Sequence, residues 1–157
     1  MNLEQLKYTE VKSMMGESII SIGKNRDKVW QLVGVFFAVQ SFLITDIFDS
    51  DFFTLKSMCF YVSIYYSIVI YNMSKIALFP SHIVMNGMEL SMFSDSHNID
   101  DITDYYDRAV SHNDCISGDI VTVYKKCFTK FLQFIYVISS LVAIFLFAEV
   151  SKVFFFF

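Results

Sequence analysis

Three long apolar runs dominate this sequence and leave few solutions for its fold. Val29 to Ile44 reads VWQLVGVFFAVQSFLI, opened by Lys28 and followed by Asp46; with Thr45 to Phe48 it is about 20 residues long, enough for ~30 Å of hydrocarbon. Ser57 to Phe79 forms the second run, with Lys75 four residues from its end and Pro80 as the stop. A lysine at that depth reaches the interface along its own methylene stem, so it does not veto a span. Phe128 to Val150 is the third and most apolar run, containing LVAIFLF at Leu141 to Phe147. These runs lack the charged outer face of soluble core helices. They also lack the ~10-residue alternation of barrel strands. In lipid a backbone of this kind satisfies its polar groups as helix.

Composition agrees with that solvent. Hydrophobic residues are 55 % of the chain, charged residues 18 %, and mean hydropathy is +0.49. Eighteen Phe and nine Tyr among 157 residues exceed what a small aqueous core hides. A formal net charge of −4 gives no reason to expect nucleic acid. Three cysteines, Cys59, Cys115 and Cys127, make no disulfide framework. The first 28 residues contain no apolar run of signal-peptide length, so no cleavable signal is expected there.

Positive charge predicts the threading. Lys7, Lys12, Lys24, Arg26 and Lys28 precede the first run, and Lys75, Arg108, Lys125, Lys126 and Lys130 fall between the second and third. With three spans, ten of the twelve basic residues share one side, and only Lys56 and Lys152 lie on the other. Lys/Arg excess marks the cytoplasmic face. The expected fold is therefore all-α: a polytopic membrane protein with three transmembrane helices and a small helical cytoplasmic module. Its segments are 1–28 as a cytoplasmic amphipathic stretch, 29–48 as the first span, and 49–56 as an external turn. Then come 57–79 as the second span, 80–127 as the cytoplasmic module, 128–150 as the third span and 151–157 as an external tail.

Within the spans, small and polar residues fall on stripes. Gln31, Gly34, Ala38, Ser41 and Thr45 recur at steps of 3, 4, 3 and 4; Cys59, Ser63 and Ser67 follow at steps of four; Gln133, Tyr136, Ser140 and Ala143 repeat the arrangement. Such stripes let helix backbones approach closely in lipid. They are candidates for tight packing among the three helices or, alternatively, for a homo-oligomeric contact or a pore lining. No span has a central Asp, Glu, Lys, Arg or His, which argues against a proton-coupled transporter.

In the N-terminal stretch Tyr8, Val11, Met15, Ile19 and Ile22 share one helical face, to lie on the membrane or pack on the inner module. Gly16 and Gly23 weaken that helix. In the inner module the spelling predicts a helix from Asn98 or Asp100 to about His112, capped by Asn98, with Asp114 to Gly118 as a loop before the next helix.

Catalytic signals are weak. Asp100, Asp101 and Asp104 spell DDxxD, which resembles the acidic motif of prenyl-transferring enzymes; those need a large helical cavity and a second acidic motif, so a solvated helix start is expected instead. Arg108 and His112 share a helix face and are similar to the Arg…His pair of HEPN-type ribonucleases, but with three intervening residues rather than four to six. His82, His97 and His112 sit fifteen apart without coordination logic. No phosphate-binding glycine loop or G-x-S-x-G elbow is present, and neither an enzyme nor a cofactor or metal is expected.

The layout resembles the SLATT-type small membrane effectors of bacterial conflict systems. In these, a cytoplasmic N-terminal helix leads into a transmembrane hairpin and then a cytoplasmic helical portion. The corresponding segments here are Leu3 to Lys28, Val29 to Phe79 around DIFDSD, and Ser81 to Lys126, about the first 125 residues. The third span departs from that two-span form. The resemblance implies an oligomerising, membrane-perturbing effector in the cell inner membrane. Small multi-pass immunity proteins are equally similar, and imply lateral binding to another membrane protein. The expected partners are the lipid bilayer and a second copy or another membrane protein, with no nucleic acid.

Overall fold

The computed structural model describes residues 3–48, 53–79, 83 and 99–155, with side-chain surroundings for 5–45, 54–79, 83 and 103–151. Among the described residues all regular structure is helical: α1 (Leu3–Phe48), α2 (Phe53–Leu78) and α3 (Ile99–Phe155). α2 stops two residues before Pro80, whose ring disfavours helical backbone at Phe79. The expected cap Asn98 and the histidines His82 and His97 lie outside the described residues.

The chain forms two compact units, residues 1–29 with 76–123 and residues 30–75 with 124–157. In the first, the N-terminal part of α1 pairs with the N-terminal part of α3. Tyr8 meets Tyr106 with ring centroids 5.9 Å apart, Asn113 donates to Ser18 at 3.3 Å, and the Ser21 and Ser117 hydroxyls lie 3.1 Å apart. Residue numbers climb together on both partners, so the pair is parallel. Met15, Tyr106, Ala109 and Val110 form its apolar centre, flanked by Tyr8, Val11, Ile19 and Tyr105. The amphipathic face expected at Tyr8 to Ile22 therefore packs on α3.

The expected loop at Asp114 to Gly118 is corrected: α3 runs through it unbroken. Asn and Ser favour turns when their side chains bond to nearby backbone. Here Asn113 and Ser117 are buried on the α1-facing stripe and bond to Ser18, Ser21 and Asn25 instead, so their turn-forming chemistry is diverted across the helix pair. Gly118 lies on the exposed side, where an added Cβ would meet nothing within 4 Å. Gly118→Ala is expected to stabilise α3 locally by about 0.5–1 kcal/mol, read as slower amide exchange across 114–122. Gly16 and Gly23 likewise leave α1 continuous, so the N-terminal stretch and the first apolar run are one helix.

The second unit is a three-helix bundle. Phe36 of α1 packs edge-on against Phe131 and Phe134 of α3, at 6.0 and 5.3 Å between ring centroids. Tyr66 of α2 meets Phe134 at 5.6 Å. Leu43, Ile44, Cys59, Phe60 and Ile138 border one small cavity. From Phe36 to Leu43 on α1, the α3 partners rise from Phe131 to Ile138. Over the same distance the α2 partners fall, with Gln40 bonded at Ser63 and Leu43 beside Cys59. Thus α1 and α3 run parallel and α2 returns between them.

Two of the helices, α1 and α3, are long and apolar enough to cross a membrane. In their most apolar stretches only 28 % and 11 % of residues, respectively, are buried within the protein, whereas the core helix of a soluble protein is mostly buried. The third expected span, 57–79, falls in α2. That helix is long enough at 26 residues, but its tyrosines, serines, Asn72 and two lysines keep it out of that class among the described residues.

Candidate functional site

The bundle of the second unit is built around a buried polar clasp. Gln40 is 5 % exposed, although it sits in the apolar part of α1. Its Nε2 donates to the Ser63 carbonyl of α2 at 2.8 Å, and its Oε1 accepts from the Ser67 hydroxyl at 2.9 Å. The same hydroxyl lies 2.9 Å from the Ser63 carbonyl, its own helix's acceptor one turn back, so one hydrogen serves two oxygens. An amide left unpaired in an apolar medium costs several kcal/mol. Both ends of Gln40 are engaged, which ties α1 to α2 at one register.

The stripes read from the sequence divide between inside and outside. Cys59 and Ser63 are buried and Ser67 half-buried, so the α2 set packs within the bundle. All five α1 residues, Gln31, Gly34, Ala38, Ser41 and Thr45, are exposed. On α3, Gln133, Tyr136 and Ala143 are exposed and Ser140 is half-buried. Of the two uses open to these stripes, packing among the three helices holds for α2, while the α1 set and most of the α3 set lie outside the bundle. The inward face of α1 carries Leu32, Val33, Phe36 and Gln40, and large side chains fill the grooves between helices where small ones leave voids.

The exposed stripe of α1 keeps its hydroxyls satisfied without a partner helix. Ser41 donates to the Phe37 carbonyl and Thr45 to the Ser41 carbonyl, both at 2.9 Å. The face offered outward is thus small and hydrogen-bonded locally. On α3, Lys130 donates to Gln133 Oε1 at 2.9 Å. Apart from its own stretch of helix backbone, Gly34 has nothing within 4 Å of where a Cβ would stand, so its smallness serves no contact inside the bundle.

In the first unit, two adjacent polar layers interrupt the apolar seam. Asn113 is fully buried and donates to Ser18, whose hydroxyl in turn donates to the Met15 carbonyl at 2.8 Å. One turn on, Asn25 donates to the Ser117 hydroxyl at 2.9 Å. Polar residues in a helix seam lower stability and fix register and partner orientation. None of Ser18, Asn25, Asn113, Ser117 or Gln40 stood out in the sequence, because Ser and Asn among charged neighbours read as surface. The signal that finds the first four is the alternating 3,4 spacing of positions 11, 15, 18, 22, 25 and 29, and of 106, 110, 113, 117 and 120.

Elsewhere in that unit, Arg108 and His112 are exposed and border an open depression with Tyr105 and Ala109. The Arg108 Nε donates to the Asp104 carbonyl of its own helix at 3.3 Å, and Asp104 and Asp107 are exposed. Asp100 and Asp101 lie within α3, but their side chains are outside the described residues. No protein-family model, no curated protein and no solved structure matches this chain.

Proposed function

We propose that this chain is a small multi-pass membrane protein with three crossings, its N-terminus in the cytoplasm, that self-associates through the outward stripe of α1 and acts by perturbing the membrane. The crossings are supported by helix direction. α1 and α3 run parallel in the second unit, and two segments crossing in the same sense require a return between them. α2, antiparallel and 26 residues long, supplies about 39 Å of helix for that return. Within it Ser67 and Ser74 bond to its own backbone, and Ser67 also to Gln40, so these hydroxyls are satisfied without water. The five basic residues before α1's apolar part, with Lys75, Arg108, Lys125, Lys126 and Lys130 between the second and third apolar runs, support a cytoplasmic N-terminus in a cell inner membrane.

Self-association rests on one observation: Gln31, Gly34, Ala38, Ser41 and Thr45 face outward together. In lipid, association of helices gains from close backbone approach rather than from hydrophobicity, so small residues outside a bundle favour a further helix over acyl chains. The effector role follows the architectural resemblance to SLATT-type proteins. Gly34→Leu adds bulk where the protomer has empty space. It is expected to leave helicity unchanged, collapse a crosslinking ladder to monomer and prevent depolarisation of expressing cells, read with a potential-sensitive dye. A wild-type protein that is strictly monomeric and leaves the potential intact contradicts this reading. Protection from a specific toxin without harm on its own points instead to an immunity protein binding its partner laterally.

A further inference from the structure

One end of the second unit is strongly and uniformly positive. Tyr66 and Phe134 are in ring contact, Lys75 lies nine residues beyond Tyr66, and Lys125 nine residues before Phe134. Because α2 and α3 run in opposite directions, both lysines stand about 14 Å from that contact, on the same side of it. Lys126 is at the same level and Lys130 about one turn nearer the contact. Lys75, Lys125 and Lys126 are all exposed. The acidic residues of this unit are elsewhere: Asp46 and Glu149 lie toward the opposite ends of α1 and α3, and Asp49 and Asp51 fall in the connection from α1 to α2.

Aromatic rings accompany the lysines. Trp30 is six residues before Phe36, whose ring meets Phe131 and Phe134, so on the parallel helix it is level with residues 125–128. It is 52 % exposed. Tyr124 and Phe128 stack at 6.3 Å with 15° between their planes. An exposed Trp ring and a half-buried Tyr at the level of lysines match the composition of a headgroup boundary, where each cation attracts anionic lipid.

We propose that Lys75, Lys125 and Lys126 form a belt that binds anionic phospholipid headgroups at the inner boundary of the bundle. The proposal rests on the membrane-crossing reading above. Two helices contribute cations to one level, so the belt concentrates negative lipid around the bundle beyond its share in the bilayer. Lys130, engaged with Gln133 one turn deeper, extends the positive field toward the acyl region.

Trp30 is the one tryptophan of the chain and stands at the belt, so its fluorescence reports the neighbouring lipid. Full-length protein is reconstituted in mixed phosphatidylcholine and phosphatidylglycerol vesicles in which one or the other lipid is brominated near the headgroup. Quenching by brominated phosphatidylglycerol is expected to exceed its mole fraction by about three-fold at low salt, and to fall toward mole fraction at 1 M salt. The triple variant K75Q/K125Q/K126Q is expected to show quenching by mole fraction, with circular dichroism unchanged. Quenching of the wild type in proportion to mole fraction overturns the proposal, as does a preference that survives in the triple variant. Quenching by neither lipid overturns the membrane reading itself, and the belt with it.

Discussion

Phe36→Ala is expected to destabilise the helical bundle by about 2–3 kcal/mol, while Phe42→Ala, six residues further along α1, costs under about 0.5 kcal/mol. Phe36 is fully buried and meets three neighbouring rings, whereas Phe42 is 67 % exposed. In water a buried Phe→Ala change costs about 3–5 kcal/mol, combining lost transfer energy with a cavity. Where lipid is the surrounding solvent the transfer part falls away, because acyl chains solvate a ring as well as a protein interior does. The void and the lost edge-to-face contacts remain, the latter worth about 0.5–1.5 kcal/mol per pair. Titration with a denaturing detergent, followed by the near-ultraviolet dichroism of the aromatic cluster, measures both variants. Equal losses at the two positions contradict the packing described for this unit.

A second large effect is expected at Asn113, where Asn113→Asp destabilises the parallel pair of the first unit by about 3 kcal/mol at neutral pH. The two side chains have the same shape, so the loss is electrostatic. Asparagine supplies the N–H that reaches Ser18; aspartate has none, and its charge would sit at a position with 0 % exposure. Burial raises the folded-state pKa of that carboxyl above its unfolded value of about 3.9. The unfolded chain then releases its proton first, so stability is unimpaired below about pH 4, falls as pH rises through the interval between the two pKa values, and stays low above it. Asn113→Leu gives the contrast, with stability equal or higher and a looser register. Amide exchange across 8–25 and 103–120 in the full-length chain separates these outcomes. An Asn113→Asp variant as protected at pH 7 as the wild type would show that this layer is wet.

Helix existence was legible because each apolar run is long and because Pro80 ends one of them; the C-terminal end of α1 and both ends of α2 fall within a few residues of expectation. Interior and exterior were not legible within the apolar runs. Phe36 and Phe42 are identical residues in one run, yet one is buried and the other exposed. An apolar solvent removes the hydrophobic contrast that marks a core face in water. Small residues were candidates for packing among the three helices or for an outer contact, and on α1 they lie on the exposed side. The continuity of α3 was hidden for another reason. Asn113, Ser117 and Gly118 together spell a turn, and only the presence of Ser18, Ser21 and Asn25 on a helix distant in sequence converts the first two into seam residues.

Sidedness of two positions tests the odd number of crossings most directly. Cys115 is exposed in the first unit, between the second and third apolar runs, and Ser151 lies at the far end of α3. A membrane-impermeant maleimide applied to intact spheroplasts is expected to leave Cys115 unlabelled until the membrane is permeabilised, and to label Ser151→Cys in a Cys115→Ser background at once. Both positions reacting from the same side of the membrane would contradict the account, because α3 would then not cross.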